Sequence, residues 1–390
     1  MAKLIGTGPN QVPTNGDLGS MAFEDKKNYA TTSSPIYQPY RNIIINGDMS
    51  IAQRGTTETG ITSSGYDTID RMFTINNGSF GTWTQSQSTD VPTGQGFAKS
   101  LKMDCTTANT SPGTAAQLQI SQFIEGQNLQ YLKKGTANAE SLTLSFWVKS
   151  NKTGTYIAEL FDGDNSRTIS KSYTIDSAST WEKKIITFEG DTTGTLDNDN
   201  AASFYIDFFL SAGTSFTSGT LATSWESFAS TNIAVGQVNL ADNTANEWYI
   251  TGVQLEVGDS ATPFEHLPYD VNLQRCQRYY QRIQGNASDE TGIGMGYANG
   301  TTQVRLYFPL FTTMRTEPSF GENLVQALYS ATSITDISLV STFDENINTL
   351  GITFAADTGS PFTLDNPILF RLDDSTSAFI EFGAELWLFQ

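Results

Sequence analysis

Leu142-Thr143-Leu144-Ser145-Phe146-Trp147-Val148-Lys149 changes character at every second residue. That period of two defines a strand whose buried face carries Leu142, Leu144, Phe146 and Val148 and whose other face carries Trp147. Asn151-Lys152-Thr153-Gly154 then turns the chain, and 156–161 reads as the returning strand of a hairpin. Working outward, further strands are predicted at 184–188, 203–210, 233–238 and 247–255, with turn-rich spacers such as Gly190-Asp191-Thr192-Thr193-Gly194 between them. Several strands joined in this way predict an all-β chain with a two-sheet jelly roll over 41–268.

The flanks read differently. Residues 1–40 have no periodic pattern, are punctuated by Pro9, Pro13, Pro35 and Pro39, and hold few apolar side chains. Such a segment buries too little to fold alone, so it is expected to be an extended arm ordering against a partner, with Pro9, Asn10, Gln11, Val12 and Pro13 as anchoring residues. On the other side, Leu273, Cys276, Tyr280 and Ile283 fall on one helical stripe, which predicts a connector helix over 269–284 capped by Asp270. Alternation resumes at Val304-Leu306-Phe308, Leu350-Ile352-Phe354 and Ile380 to Leu388, so 285–390 is expected to form a smaller second sandwich. Trp387 and Phe389 make the last strand apolar on both faces, a candidate contact between subunits.

The chain has 390 residues, room for two folded units, and sets 22 basic side chains against 41 acidic ones for a net charge of −19. That balance argues against nucleic acid and anionic membrane surfaces as partners, and leaves neutral sugars, cations and other proteins. No run approaches the roughly 20 apolar residues of a bilayer span, so no membrane insertion is expected. Met1-Ala2-Lys3-Leu4-Ile5-Gly6 lacks a secretory apolar stretch, which predicts a protein that is not conventionally exported. Cys105 and Cys276 are the two cysteines, too few for a disulfide framework or a cysteine zinc site, and they fit assembly in a reducing cytoplasm.

No catalytic set emerges. His266 is the one histidine and sits between prolines 263 and 268, where a packing or turn role is expected. Among 41 acids, carboxylate pairs arise by chance and do not mark a glycosidase. Asp162-Gly163-Asp164-Asn165-Ser166 begins like a calcium loop, but Arg167 stands where glycine is needed and Tyr173 where the bidentate glutamate belongs. A hairpin turn is the expectation there, with weak calcium binding at Asp191, Asp197 and Asp199 left open. Gly292-x-Gly294-x-Gly296 lacks a strand-to-helix context, so close strand packing is expected instead of a nucleotide loop. Sugar recognition stacks pyranose rings on flat aromatic faces, and Trp83, Trp147, Trp181, Tyr205 and Trp225 are the candidate glycan-binding platform.

Three stretches carry a resemblance. Residues 5–24 (IGTGPNQVPTNGDLGSMAFE) are similar to an N-terminal segment of structural proteins of marine and other tailed phages. Residues 41–55 (RNIIINGDMSIAQRG), followed by Asp70-Arg71-Met72-Phe73, resemble the opening of a carbohydrate-binding-like jelly roll in phage fibre proteins. Residues 251–280, from Thr-Gly-Val-Gln-Leu-Glu-Val-Gly to Cys-Gln-Arg-Tyr-Tyr, resemble its closing strand and following helix. The resemblance implies a virion fibre protein with an N-terminal anchor, a display domain, a C-terminal β domain and a homotrimeric assembly. It also implies a place for structural calcium, but Ser50 and Thr251 stand where the acidic ligands belong, so no cofactor is expected. Three readings follow: a fibre binding host surface polysaccharide, an architectural head fibre, decoration or connector protein making only protein contacts with other virion proteins, or an enzyme. The first is preferred.

Overall fold

The computed structural model describes residues 40–330, 333–343 and 346–386. The chain divides at Arg41/Asn42, so the arm, its anchoring residues Pro9 to Pro13, and Trp387 and Phe389 lie outside the described residues or at their edge.

Among the described residues, the all-β reading holds. Two antiparallel sheets face each other over 57–257. One runs in the order β1 (Thr57–Ile61), β4 (Thr82–Ser88), β5 (Ser100–Thr107), β13 (Glu247–Val257), β7 (Leu142–Ser150) and β10 (Glu182–Phe188). The other runs β12 (Glu226–Ser227), β9 (Arg167–Ile175), β8 (Gly154–Asp162), β11 (Ala202–Ala212), β6 (Gln117–Glu125), β3 (Phe73–Asn77) and β2 (Gly65–Tyr66). Their inner faces share one core, in which Leu144, Phe146 and Val148 of β7 meet Trp83, Tyr156, Phe204, Phe208 and Trp248. The stretch 233–238 is not a strand. Ile233 and Ala234 instead lie on the outer side of the second sheet, packed with Ile157 and Phe209.

The opening and closing segments hold each other. Ile43 N–H donates to Leu255 O at 2.9 Å and Val253 N–H to Gly47 O at 2.9 Å. The Asn42 side chain donates to Val253 O and accepts from Leu255 N–H. A Cβ on Gly47 would sit 2.0 Å from Val253 O, so only glycine lets the two segments approach this closely.

Beyond the sandwich, the connector is shorter than its apolar stripe suggests. The helix is Tyr269–Gln277, its N-cap is Pro268 and not Asp270, and the chain then becomes strand β14 (Tyr280–Gln284). Arg278 clamps Glu125 with bonds of 2.8 and 2.7 Å, and Tyr280 to Gln284 pairs with β22 (Phe379–Gly383). That backbone pairing overrides a helical pattern in an aromatic-rich segment.

The C-terminal part is not a second sandwich. β15 (Thr291–Ala298), β16 (Gln303–Pro309), β20 (Thr349–Ala356), β19 (Ser333–Phe343), β18 (Val325–Ser330) and β21 (Pro367–Leu372) close into a barrel. A sheet of β14, β22 and β17 (Ser319–Asn323) lies in the same core. Closure comes from β15 pairing with both β16 and the distant β21. A Cβ on Gly296 would lie 1.8 Å from Arg305 O, so close strand approach explains this glycine, whereas a Cβ on Gly292 would meet open space.

Candidate functional site

The six-stranded sheet turns Trp147 outward, as the alternation of β7 requires. In register, Trp147 lies between Lys183 of β10 and Thr251 of β13. The pairing of β13 with β7 is interrupted between Thr251 and Gln254, and Gly252 there adopts φ +63°. The Phe97 ring lies over that glycine, where a Cβ would come within 2.5 Å of it. Phe97 in turn packs against Phe264 and His266 with ring centroids 5.1 and 5.4 Å away, and those two meet at 4.9 Å. Trp147, Phe97, Phe264, His266, Lys183 and Gln95 thus line a groove of about 370 Å³, with Ser145 and Thr262 also on its walls. An aromatic surface with a few polar groups at its rim is the usual composition of a small-ligand site.

Next to it on the same sheet is a tighter row. Trp181 Nε1 donates to Asp90 Oδ1 at 2.9 Å, and Lys149 pairs with the same carboxylate. The Lys149 ammonium lies 4.2 Å from the Tyr249 ring centroid and 5.5 Å from that of Trp181. Burial pushes the Asp90 carboxyl up, but hydrogen bonds from Lys149 and Trp181 outweigh it and hold the group below its usual range. Lys102 is similarly occupied, 3.0 Å from Glu247 and 3.5 Å from Asp104.

The five aromatics therefore separate. Trp147 and Trp181 share the open face. Trp83 is 0% exposed in the core between the sheets, with Nε1 donating to Phe80 O at 2.7 Å, and cannot present a ring to sugar. Tyr205 lies on the outer side of the seven-stranded sheet but is covered, packed with Phe123, Phe73, Tyr279 and Leu386. Trp225 packs at the edge of the core beside Phe204, its Nε1 donating to Glu189 O at 2.7 Å. Sequence reasoning missed Phe97, Phe264 and Lys183, and gave His266 only a packing role.

The covered sheet holds two buried carboxylates. Glu159 of β8 lies opposite Asp207 of β11, and they are 3% and 5% exposed. Ser121 donates to Asp207 and Thr168 to Glu159, and Gln119 Nε2 reaches Asp207 Oδ1 at 3.3 Å. Burial pushes Asp207 up to about 7; burial and the Asp207 charge push Glu159 well above its ordinary value.

Of the acids weighed for calcium, Asp162 and Asp191 are occupied by the chain's own cations, while Asp197 and Asp199 are exposed. Lys134 Nζ pairs with Asp162 and Asp191, the latter at 2.9 Å, and donates to the carbonyls of Thr193 and Gly194 at 3.0 Å. Arg167 holds Asp191 through two bonds of 2.7 and 3.0 Å. At the opening loop, the Asn272 amide donates to Ser50 Oγ at 3.0 Å and Asp48 Oδ1 at 3.1 Å. Thr251 Oγ1 donates to Lys99 O at 2.7 Å.

No protein-family model matches the chain, and no curated protein matches its sequence. Among solved structures, the enzymatically active domain of tailspike protein 4 of bacteriophage CBA120 is similar over 57% of this chain at 16% identity and a TM-score of 0.30. The chain spans about a fifth of that protein, 22% of its length. The carbohydrate-binding module TmCBM61, in complex with β-1,4-galactotriose, is similar over 56% of this chain and 99% of its own, at 10% identity and a TM-score of 0.28. The C-terminal family 22 carbohydrate-binding module of Clostridium thermocellum Xyn10B is similar over 54% and 98%, at 13% and 0.26. At these values the likeness assigns no function.

Proposed function

We propose that the protein is a non-enzymatic bacteriophage virion fibre protein whose sandwich binds host surface glycans through the aromatic groove of its six-stranded sheet. One observation carries the glycan reading: Trp147 stands half-buried on an outer sheet face, beside Phe97, Phe264 and His266, in a groove open to solvent. A pyranose has one face of C–H groups that stacks on such rings, while its hydroxyls find the Gln95 amide at the rim. The virion setting rests on the resemblance of the opening and closing segments. Attachment through the arm around Pro9 to Pro13, homotrimeric assembly and contacts with other virion proteins belong to the same proposal.

An architectural role is the second reading, and one feature favours it. Met295, Leu369, Leu328 and Ile334 are register neighbours across four barrel strands, and Met295, Leu369 and Ile334 are exposed. An apolar row of this kind suits contact with protein.

The test is calorimetric titration of the full chain with polysaccharide extracted from host surfaces. Saturable binding is expected, weakened roughly tenfold or more by Trp147→Ala, a loss of about 1.4 kcal/mol, and unchanged by Trp225→Ala. A folded chain that binds no host glycan overturns the reading in favour of the architectural one.

A further inference from the structure

We infer that the Trp147 groove selects sugars bearing an anionic group, a uronic acid carboxylate or a sulfate ester, over neutral sugars. The inference rests on the glycan reading above and narrows it. The chain carries 41 acidic against 22 basic side chains, yet among the described residues no Asp or Glu lines this groove. The cations of the neighbouring row are already matched: Lys149 by Asp90, and Lys102 by Glu247 and Asp104. On β10, Lys184 is likewise paired with Glu182 and Asp176. Lys183 is exposed, stands directly across from Trp147, and meets no carboxylate among the described residues.

An unmatched ammonium beside an aromatic wall asks for a ligand with two matching parts. A neutral sugar uses the rings and leaves Lys183 idle; a small free anion uses Lys183 and leaves four aromatic rings idle. An acidic sugar uses both, and Gln95 and the His266 imidazole add hydrogen-bonding groups at the same rim. The overall charge of −19 opposes any anion at long range. At ionic strength near 0.15 M, charges more than about 8 Å away are largely screened, so contact with Lys183 decides selectivity for a short oligosaccharide. The rest of the chain sets only a background repulsion.

The experiment uses the full chain at that ionic strength. It is presented with a panel of uronate and sulfated oligosaccharides, each beside its uncharged counterpart, followed by calorimetry with trigalacturonate and its carboxyl-reduced form. At least one acidic member is expected to bind roughly tenfold more tightly than its neutral partner. Lys183→Gln should bring the pair within about twofold by weakening the acidic member far more than the neutral one, Lys183→Arg should restore the preference, and Trp147→Ala should weaken both. Whether uronates or sulfates lead the panel tells which source supplies the anion. Equal binding of acidic and neutral partners, or a preference that survives Lys183→Gln, overturns this inference and leaves the glycan reading standing. Binding of no member by a folded chain overturns both.

Discussion

The two sheets of the sandwich share a core but treat their outer faces in opposite ways. The six-stranded sheet is flanked by two short segments, around Phe97 and around Phe264 to His266, which wall a groove and leave Trp147 half-exposed. The seven-stranded sheet is roofed at one end by Phe216, Leu221, Ile233 and Ala234, and at the other by Tyr279 and Leu386. Both faces are rich in aromatic and polar side chains. What separates a binding surface from a structural one is therefore the cover laid over the strands by sequence far away.

The cover over the seven-stranded sheet is fastened by charge, and breaking it should give the largest effect. Glu385 pairs with Arg71, which is 1% exposed and also donates to Phe123 O at 2.7 Å, and with Arg54 at 3.2 Å. The Arg71 guanidinium lies 3.5 Å from the Tyr279 ring centroid, and Arg315 donates to the carbonyls of Ala384 and Glu385. Glu385→Ala leaves the buried Arg71 guanidinium, and the half-buried Arg54 beside it, without their carboxylate, which costs about 3–5 kcal/mol. Denaturant unfolding should register that loss, while the protein still folded in buffer keeps its glycan affinity. A loss below about 1 kcal/mol would mean that the segment is held by its apolar contacts alone.

This contrast explains what the sequence made legible. β7 and its hairpin partner were readable because one face meets the core and the other does not. β6, Gln117–Glu125, was not, because buried Gln122 interrupts the apolar row of Leu118, Ile120 and Ile124, and Gln119 and Ser121 lie under the cover. Its polar side chains imitate a solvent face. Trp147, between the core residues Phe146 and Val148, reads outward from sequence, whereas Trp83 stands between two threonines and only strand pairing tells that it enters the core. The groove itself was illegible because its walls come from around 95–97, 145–147, 183 and 261–266, joined by no local pattern. Barrel closure through β15 and β21 likewise has no local signature.

The polar cargo under the cover yields the next effect, a pH dependence. Asp207 is raised to about 7 and Glu159 is raised beside it, so the folded state holds protons that the unfolded chain has released by neutral pH. For a carboxyl raised on folding, the contribution is fully present below the unfolded value near 4. It is lost as pH climbs through about 7. The two groups titrate as a pair. Asp207→Asn mimics the protonated form and still accepts from Ser121. It should stabilise the protein by roughly 2 kcal/mol at pH 8 and by little at pH 5. Equal effects at the two pH values would mean that the pair is not the source of the dependence.

The smallest change tests where the open face is centred. Trp181 stands one residue before β10 and reaches Asp90, in the row of Lys149 and Tyr249, outside the groove lining. Trp181→Phe keeps a ring and removes one hydrogen bond to a carboxylate that Lys149 continues to hold. Asp90 is about half exposed, so the stability cost should stay below about 1 kcal/mol. With that hydrogen bond gone, the Asp90 carboxyl should move up toward its usual range, because one of the two bonds opposing its burial is lost. Glycan affinity, measured by the titration used for Trp147→Ala, should fall by no more than about twofold, since the ring only borders the ligand. A loss as large as that of Trp147→Ala would move the centre of the site to the Trp181, Lys149 and Asp90 row. The open face would then bind through matched charges, and the free ammonium of Lys183 would lie at its margin.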